Sequence, residues 1–416
     1  MNAITPTTAT HDARLDRLAK IAVEVGLALA HGQELVVTAP LDAVPLVRRI
    51  TEHAYRAGCP QVTTLLTDDV TTLARYQFAP DDAFDRAPAW LYEGMAAAYR
   101  SGAARLAIAG DDPALLSAQD PARVSRANRA RSVAYRPALE LITNFAINWS
   151  IVSYASPAWA RRMFPDLDEA QAVARLWDAI FAASRVDQPD PVAAWAEHNA
   201  ALHARTEALN GQRFHALRFR GPGTDLRVGL SDGHLWLGGS EPAKNGITCN
   251  PNIPTEEVFT TPHMMRVEGH VRSTKPLSYG GTLIQDIAVR FEGGQITDAQ
   301  ARTGQEVLQK VLGTDDGARR LGEVALVPGS SPISASGLLF FNTLFDENAA
   351  SHIALGQAYR TCLEGGTTAP DDELARRGAN TSLIHIDWMI GSGEVDVDGL
   401  DAAGAAVPVM RAGEWV

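Results

Sequence analysis

The sequence predicts an α/β protein in two parts. A βαβ-type parallel-sheet domain is expected over residues 1–190, followed by a mixed or antiparallel α+β domain over 191–416. Three observations carry this. Helical and strand patterns alternate through the first half, a Pro-rich stretch (DQPDPVAAW, 187–195) interrupts them, and beyond about Phe214 short segments bounded by Gly, Asn and Asp take over. Strands separated by helices build βαβ units, whereas short strands joined by tight turns build antiparallel or mixed sheets. At 416 residues the chain also exceeds what one hydrophobic core usually serves.

The elements follow in order. Residues 13–30 (ARLDRLAKIAVEVGLALA) repeat apolar residues at helical spacing, with His31-Gly32 as the stop. A short apolar strand runs from Glu34 to Thr38, then a helix from about Asp42 to Arg56 ended by Gly58, and a second strand from Gln61 to Leu66. A helix from Ala89 to Tyr99 leads to the strand ARLAIAG (104–110), and segments near Pro121–Ala134 and Asn144–Tyr154 continue the alternation. No strand in this half is followed by GxGxxG. The nearest match, Gly221-Pro222-Gly223, lies outside it and has leucine where the third glycine belongs, so a dinucleotide site is not expected. The helix Ala193–Leu209 is the expected connector. Beyond it, FHALRFRGPGTDLRVGL, HLWLGG, HMMRVEGHVR and GGTLIQDIAVRFEGGQI read as short strands and turns.

Composition narrows the function classes. A net charge of -12 argues against sequence-independent nucleic-acid binding, which needs a basic footprint. Three cysteines without a CxxC pair (Cys59, Cys249, Cys362) support neither a disulfide framework nor a thiolate zinc site. The opening MNAITPTTATHDARLDRL has no basic segment followed by an apolar run, and no apolar stretch approaches bilayer-spanning length. A cytoplasmic protein without membrane contact is the expectation.

Four segments of the second half place acids or imidazoles beside apolar runs: PTEEVFTTP with Glu256 and Glu257, RRLGEVALVPGSS with Glu323, LFDENAASHIALGQAY with Asp346, Glu347, His352 and Tyr359, and NTSLIHIDWMIGSG with His385 and Asp387. On a strand, His385 and Asp387 share one face while Ile384 and Ile386 take the other. Taken singly, each has an ordinary explanation. Glu323 would mark an exposed strand end, Glu257 would pair with Arg266, Glu256 would be its exposed neighbour, Tyr359 would be a core aromatic with a polar tip, and His385 with Asp387 would be a buried ion pair. Taken together, two imidazoles and several carboxylates on apolar segments suit divalent cations. Two such cations sharing carboxylates suit activation of water and stabilisation of attacking and leaving groups. HExxH is absent, and Glu197-His198 with His203 has the wrong spacing and order for it, so that cluster is assigned to a helix surface.

The four motifs PTEEVFTTP, LGEVALVP, LFDENAASHIALGQAY and HID, in this order, resemble the aminopeptidase T / aminopeptidase S / PepS family of metallopeptidases, the thermophilic aminopeptidases. The likeness extends to LVVTAPLDAVPLVRRITEHAYRAG and NFAINWSI in the first half. It implies two divalent metal ions (Zn, Co or Mn) held by Glu257, Glu323, Glu347, His352, His385 and Asp387, with Tyr359 as the active-site tyrosine. Glu323 is the expected bridging carboxylate. It further implies release of amino-terminal residues from short peptides, and homodimers whose active sites face an enclosed cavity. Asn144–Trp149 and Trp236 are candidates to line that cavity, ordinary core packing being the other reading. Two alternatives stay open at this stage: a two-metal hydrolase of another amide or a phosphoester, and a non-catalytic metal-binding protein.

Overall fold

A computed structural model describes residues 10–279 and 282–416, so residues 1–9 of the amino-terminal segment and Gly280-Gly281 of the GGTLIQDI segment lie outside the described residues. The chain divides into two compact units. One comprises residues 1–198 with 240–253, the other 199–239 with 254–416. The first of the three points where the chain passes from one unit to the other lies within the helix Pro191–Gln212.

The first unit is built on a parallel sheet. Its strand order is Val62–Thr67, Leu35–Pro40, Ala104–Ala109, Trp149–Ser153, each strand parallel to its neighbours. Helices Val44–Arg56, Asp69–Phe78, Ala89–Arg100 and Pro121–Thr143 supply the connections that parallel pairing requires. The α/β expectation is met here. The first helix departs from its expected 13–30 span: it is α-helical over His11–Ile21 and passes into a π-helical turn, Ala22–Gly26. A Cβ on Gly26 would lie 2.7 Å from Ser150 Oγ, so glycine is what lets that turn approach the sheet.

Among the described residues the second unit holds two main antiparallel sheets and a two-stranded one, Leu277–Tyr279 with Thr282–Ile284. The larger has eight strands in the order Gln295–Gln300, Ala288–Glu292, Pro262–Arg272, Thr224–Leu230, Ala216–Gly221, Asp396–Leu400, Ala406–Arg411, Glu414–Trp415. The smaller has four: His385–Met389, His352–Gly356, Leu321–Leu326, Val258–Thr260. HLWLGG is not a strand. It makes isolated bridges at His234 and Leu237, and Gly239, at φ +77°, turns the chain away. Trp236, a candidate for lining a cavity, is 1% exposed and belongs to the core.

Register decides what each face of the small sheet carries. Thr260, Val324, Ile353 and Trp388 stand in one row across its four strands, and Val324, Ile353 and Trp388 lie fully buried in the cluster that also holds Phe219, Val228 and Phe291 of the large sheet. Burying side chains of this size stabilises by about 1.5–3 kcal/mol each. The alternate rows, on the other face, are Phe259–Ala325–His352–Met389 and Glu323–Ala354–Asp387. The apolar face thus anchors the sheet and leaves the opposite face for polar groups.

Gly356, paired with His385 at the end of its strand, has φ +102°, and a Cβ there would meet the Ile384 carbonyl oxygen at 2.1 Å. Gly356→Ala is expected to lower stability by at least about 1–3 kcal/mol, read as a lower denaturant midpoint at unchanged slope.

Candidate metal centre

Three strands and one loop bring the acids and imidazoles together. His352 begins its strand, and His385 and Asp387 sit two residues apart on the neighbouring one, as alternation requires. Glu323 reaches the same face by an irregularity. Leu321 pairs with Leu355, but Glu323 pairs with Ala354, so the strand carries one extra residue at Gly322. This bulge lets Leu321 point into the core and Glu323, two residues on, point to the opposite face. Glu257 immediately precedes the strand Val258–Thr260, and its backbone is held by the adjacent Glu256 N–H, which donates to Asn348 Oδ1 at 2.7 Å.

The resulting distances are short. His352 Nε2 lies 3.1 Å from Glu257 Oε2, 3.7 Å from Glu323 Oε1 and 3.9 Å from Asp387 Oδ1. His385 Nε2 lies 3.2 Å from Glu323 Oε2 and 3.3 Å from Asp387 Oδ1. Glu323 therefore directs one carboxylate oxygen to each imidazole. Two groups of three have ligand atoms within 4.8 Å of one another: Glu257, Glu323 and His352, and Glu323, His385 and Asp387. Ligands about 2 Å from one ion are themselves roughly 3–4 Å apart, so both groups have the dimensions of a cation site.

Each imidazole is held in the tautomer a metal ligand needs. His352 Nδ1 faces the Ala350 carbonyl at 3.2 Å and His385 Nδ1 faces the Gln357 carbonyl at 2.7 Å. A carbonyl only accepts, so Nδ1 carries a proton and Nε2, aimed at the acids, is the nitrogen that takes either a second proton or a metal. Glu257 Oε2, though near His352, is buried and makes no hydrogen bond of acceptable geometry. A buried carboxylate oxygen left in that state calls for a positive charge.

The electrostatics agree. Burial alone would lower His352 and His385, but the carboxylates beside them outweigh it and raise both well above the ordinary imidazole value. Burial raises Glu257, and burial with the charges of Glu257 and Asp387 raises Glu347 far above the usual carboxylate range. Burial opposes the charged form of Asp387 as well, yet the adjacent His385 holds it below the usual range. A field that favours a proton on two imidazoles favours a metal cation in the same place.

The remaining candidates are placed as follows. Glu347 begins the short 3-10 turn Glu347–Ala349, within electrostatic reach of the cluster but outside both groups of three. Tyr359 is 42% exposed and so is no core aromatic. Its ring stands 4.6 Å from that of His385 and 6.0 Å from that of Phe259. The protein packed around its hydroxyl, and then the nearby carboxylates, keep the phenol protonated well past its usual range. Glu323 is buried within its strand rather than at an exposed end, Glu256 is buried rather than exposed, and Arg266 pairs with Asp232, not Glu257.

Several positioning residues escaped the sequence reading. Asn348 also donates to the Leu344 carbonyl, fixing the turn that bears Glu347. Asn380 Nδ2 donates to the Gly317 and Gly356 carbonyls, and Asp315 accepts from Leu383 N–H and Ser382 Oγ, which together hold the approach to His385. Their signal in the sequence was slight: polar residues next to motif residues, indistinguishable from turn residues without the fold.

Fold and site define a metalloprotein whose cation site lies on one face of an antiparallel sheet. Comparison with known proteins narrows this. The family described as "Thermophilic metalloprotease (M29)" matches residues 11–415. The chain is 57% identical to Aminopeptidase T of Thermus aquaticus over 402 residues (97% of this chain, 98% of that one), and 46% identical to Aminopeptidase 2 of Geobacillus stearothermophilus over 404 residues (96% and 97%). The solved structure titled "Wild-type AmpT from Thermus thermophilus" superposes with a TM-score of 0.93 at 55% identity, covering 98% of this chain and all of that one. The chain belongs to the thermophilic metalloprotease family M29.

Without metal, the raised imidazoles and the raised Glu257 and Glu347 all give stability that is present below their unfolded values and lost as pH rises through the folded ones. The metal-free protein should therefore lose thermal stability as pH rises above about 4.5, the ordinary carboxylate value, and further as it rises above about 6.5, the ordinary imidazole value, while stabilisation by added divalent metal should grow in the same direction as protons cease to compete. Melting temperatures measured with chelator and with metal check both slopes.

Proposed function

We infer that this chain is a metal-dependent aminopeptidase that releases amino-terminal residues from short peptides. The observation that carries the reading is Glu323, shared between two acid–imidazole groups of cation-site dimensions, in a chain of a metalloprotease family. The residues that would hold the ions, two divalent cations such as Zn, Co or Mn, are Glu257, Glu323, Glu347, His352, His385 and Asp387, with Glu323 common to both groups. Mixed carboxylate and imidazole donors accept several metals. The donors present fit such ions: Nδ1 of each imidazole is taken by a carbonyl, which leaves Nε2 for a cation, and a buried Glu257 oxygen lacks a hydrogen bond. Bound there, the ions supply Lewis acidity and make water a better nucleophile near neutral pH.

The chain's own residues do the rest. Tyr359, protonated and with its ring 4.6 Å from that of His385, donates a hydrogen bond to the oxygen of the scissile carbonyl as it gains negative charge. A carboxylate of the cluster takes the proton of the attacking water and returns it to the leaving amine. The acidic surroundings attract the free α-ammonium group of the substrate, which fixes cleavage at the first bond. The reading extends to a homodimer in the cytoplasm, with active sites facing an enclosed cavity. Nucleic-acid and membrane partners are not part of it: the net charge is -12, and among the described residues no helix is long and apolar enough to cross a membrane.

Protein stripped of metal and reloaded with Zn, Co or Mn should turn over a free-amine aminoacyl amide and its acetylated counterpart at rates differing by at least about tenfold, the cost of losing a contact to a charged group. Equal rates would reject aminopeptidase action. His385→Ala and Asp387→Ala should each lose more activity than the roughly 10–100-fold typical of residues behind a metal's ligands, with metal content reduced. Tyr359→Phe should lose about 10²–10³-fold in kcat with metal content intact. Metal analysis alongside kcat separates the two kinds of loss.

A further inference from the structure

Apart from the acid–imidazole cluster, the second unit holds a cavity of about 280 Å³. Three stretches form much of its wall: 274–275, 349–351 and 391–393. Among the described residues no carboxylate lines it, and Lys275 is its one charged side chain. The Lys275 ammonium makes no ion pair or hydrogen bond with any described residue. The acid whose charge it feels, Asp346, has its oxygens taken by the N–H groups of Phe340 at 2.7 Å and Asn342 at 3.0 Å. An ammonium half withdrawn from water without a counter-charge costs free energy that an anion would recover.

The rest of the lining suits an anion as well. Ser334 and Ser392 contribute hydroxyls, and at Gly393 the nearest atom to a Cβ would be the Ala412 carbonyl oxygen at 3.8 Å, which leaves the backbone there open to close approach. The site is also firmly built. Thr274 donates through N–H to the Met389 carbonyl and through Oγ1 to the Gly391 carbonyl, and the N–H groups of Ile390 and Gly391 both donate to the Ser351 carbonyl. These bonds tie Lys275 to the chain leaving the strand His385–Met389 and to the stretch between Glu347 and His352. Cavity and cluster therefore share backbone, yet their side chains are different.

We propose that this cavity is a second binding site, taking a small oxyanion of the phosphate or carboxylate class with Lys275 as its counter-charge. It does not depend on the aminopeptidase reading. Calorimetric titration of the full-length chain, first without metal so that phosphate has no cation to bind, tests it with two probes, inorganic phosphate and acetate. Saturable binding of either supports the site, and the preferred probe identifies the source. Lys275→Met should weaken that binding by roughly tenfold or more, and Lys275→Arg should retain most of it. Bound anion should also slow acylation of Lys275 by an amine reagent in the unmutated chain, read by peptide mass spectrometry, which keeps the test decisive if Lys275→Met does not fold. Absence of binding by both probes, binding unchanged in Lys275→Met, or binding lost instead in His385→Ala would overturn the proposal.

Discussion

Four carboxylates and two imidazoles crowd one half-buried face, and the shortage of positive charge there is what the surrounding structure answers to. Carboxylates so placed repel one another and are poorly hydrated, and two imidazolium ions cannot balance four of them. A divalent cation resolves the imbalance only if the donors are fixed beforehand, because flexible side chains would relax apart. Each donor is fixed by something other than its neighbours in the cluster. Backbone carbonyls hold the two imidazoles, Asn348 holds the segment of Glu257, and a strand ladder holds Glu323 and Asp387.

That rigidity is supplied from behind. The small sheet turns Val324, Ile353 and Trp388 into the hydrophobic cluster shared with the large sheet, so the polar face cannot rotate or slip without exposing them. Packing energy gathered on one side of the sheet thus sustains electrostatic strain on the other. Ala354 matters in the same way. Standing between Glu323 and Asp387 in its row, it is small enough to leave the space above it to their carboxylates.

Much of this was legible in the sequence, for identifiable reasons. Helix and strand periodicities located the parallel sheet because the strands there alternate with amphipathic helices. Alternation alone placed His385 and Asp387 on one face, and the four motifs named the six acids and imidazoles. Alternation failed at Glu323: counted from Leu321 it belongs on the apolar face, and only the pairing register reveals the extra residue between them. Spacing also could not separate Glu256 from Glu257, since both are buried and only Glu257 joins a group of cation-site dimensions. Nor could it show that Glu347 stands apart from the two tight groups, because that depends on a short turn of the 3-10 type. HLWLGG has the right residues for a strand, but its paired glycines release it into isolated bridges.

Gly322 gathers these points into one position. A Cβ on it would lie 2.3 Å from the Gln357 carbonyl oxygen and 2.5 Å from that of Gly356, so the strand crosses its neighbour there without room for even a methyl group. The residue that contributes no chemistry therefore acts as the hinge pin of the chemistry. It converts a ladder that would otherwise read as continuous apolar wall into one that switches sides at a set step. The switch itself has no substitute, since without it Leu321 and Glu323, two residues apart, would share one face and either the acid would enter the core or the leucine would leave it.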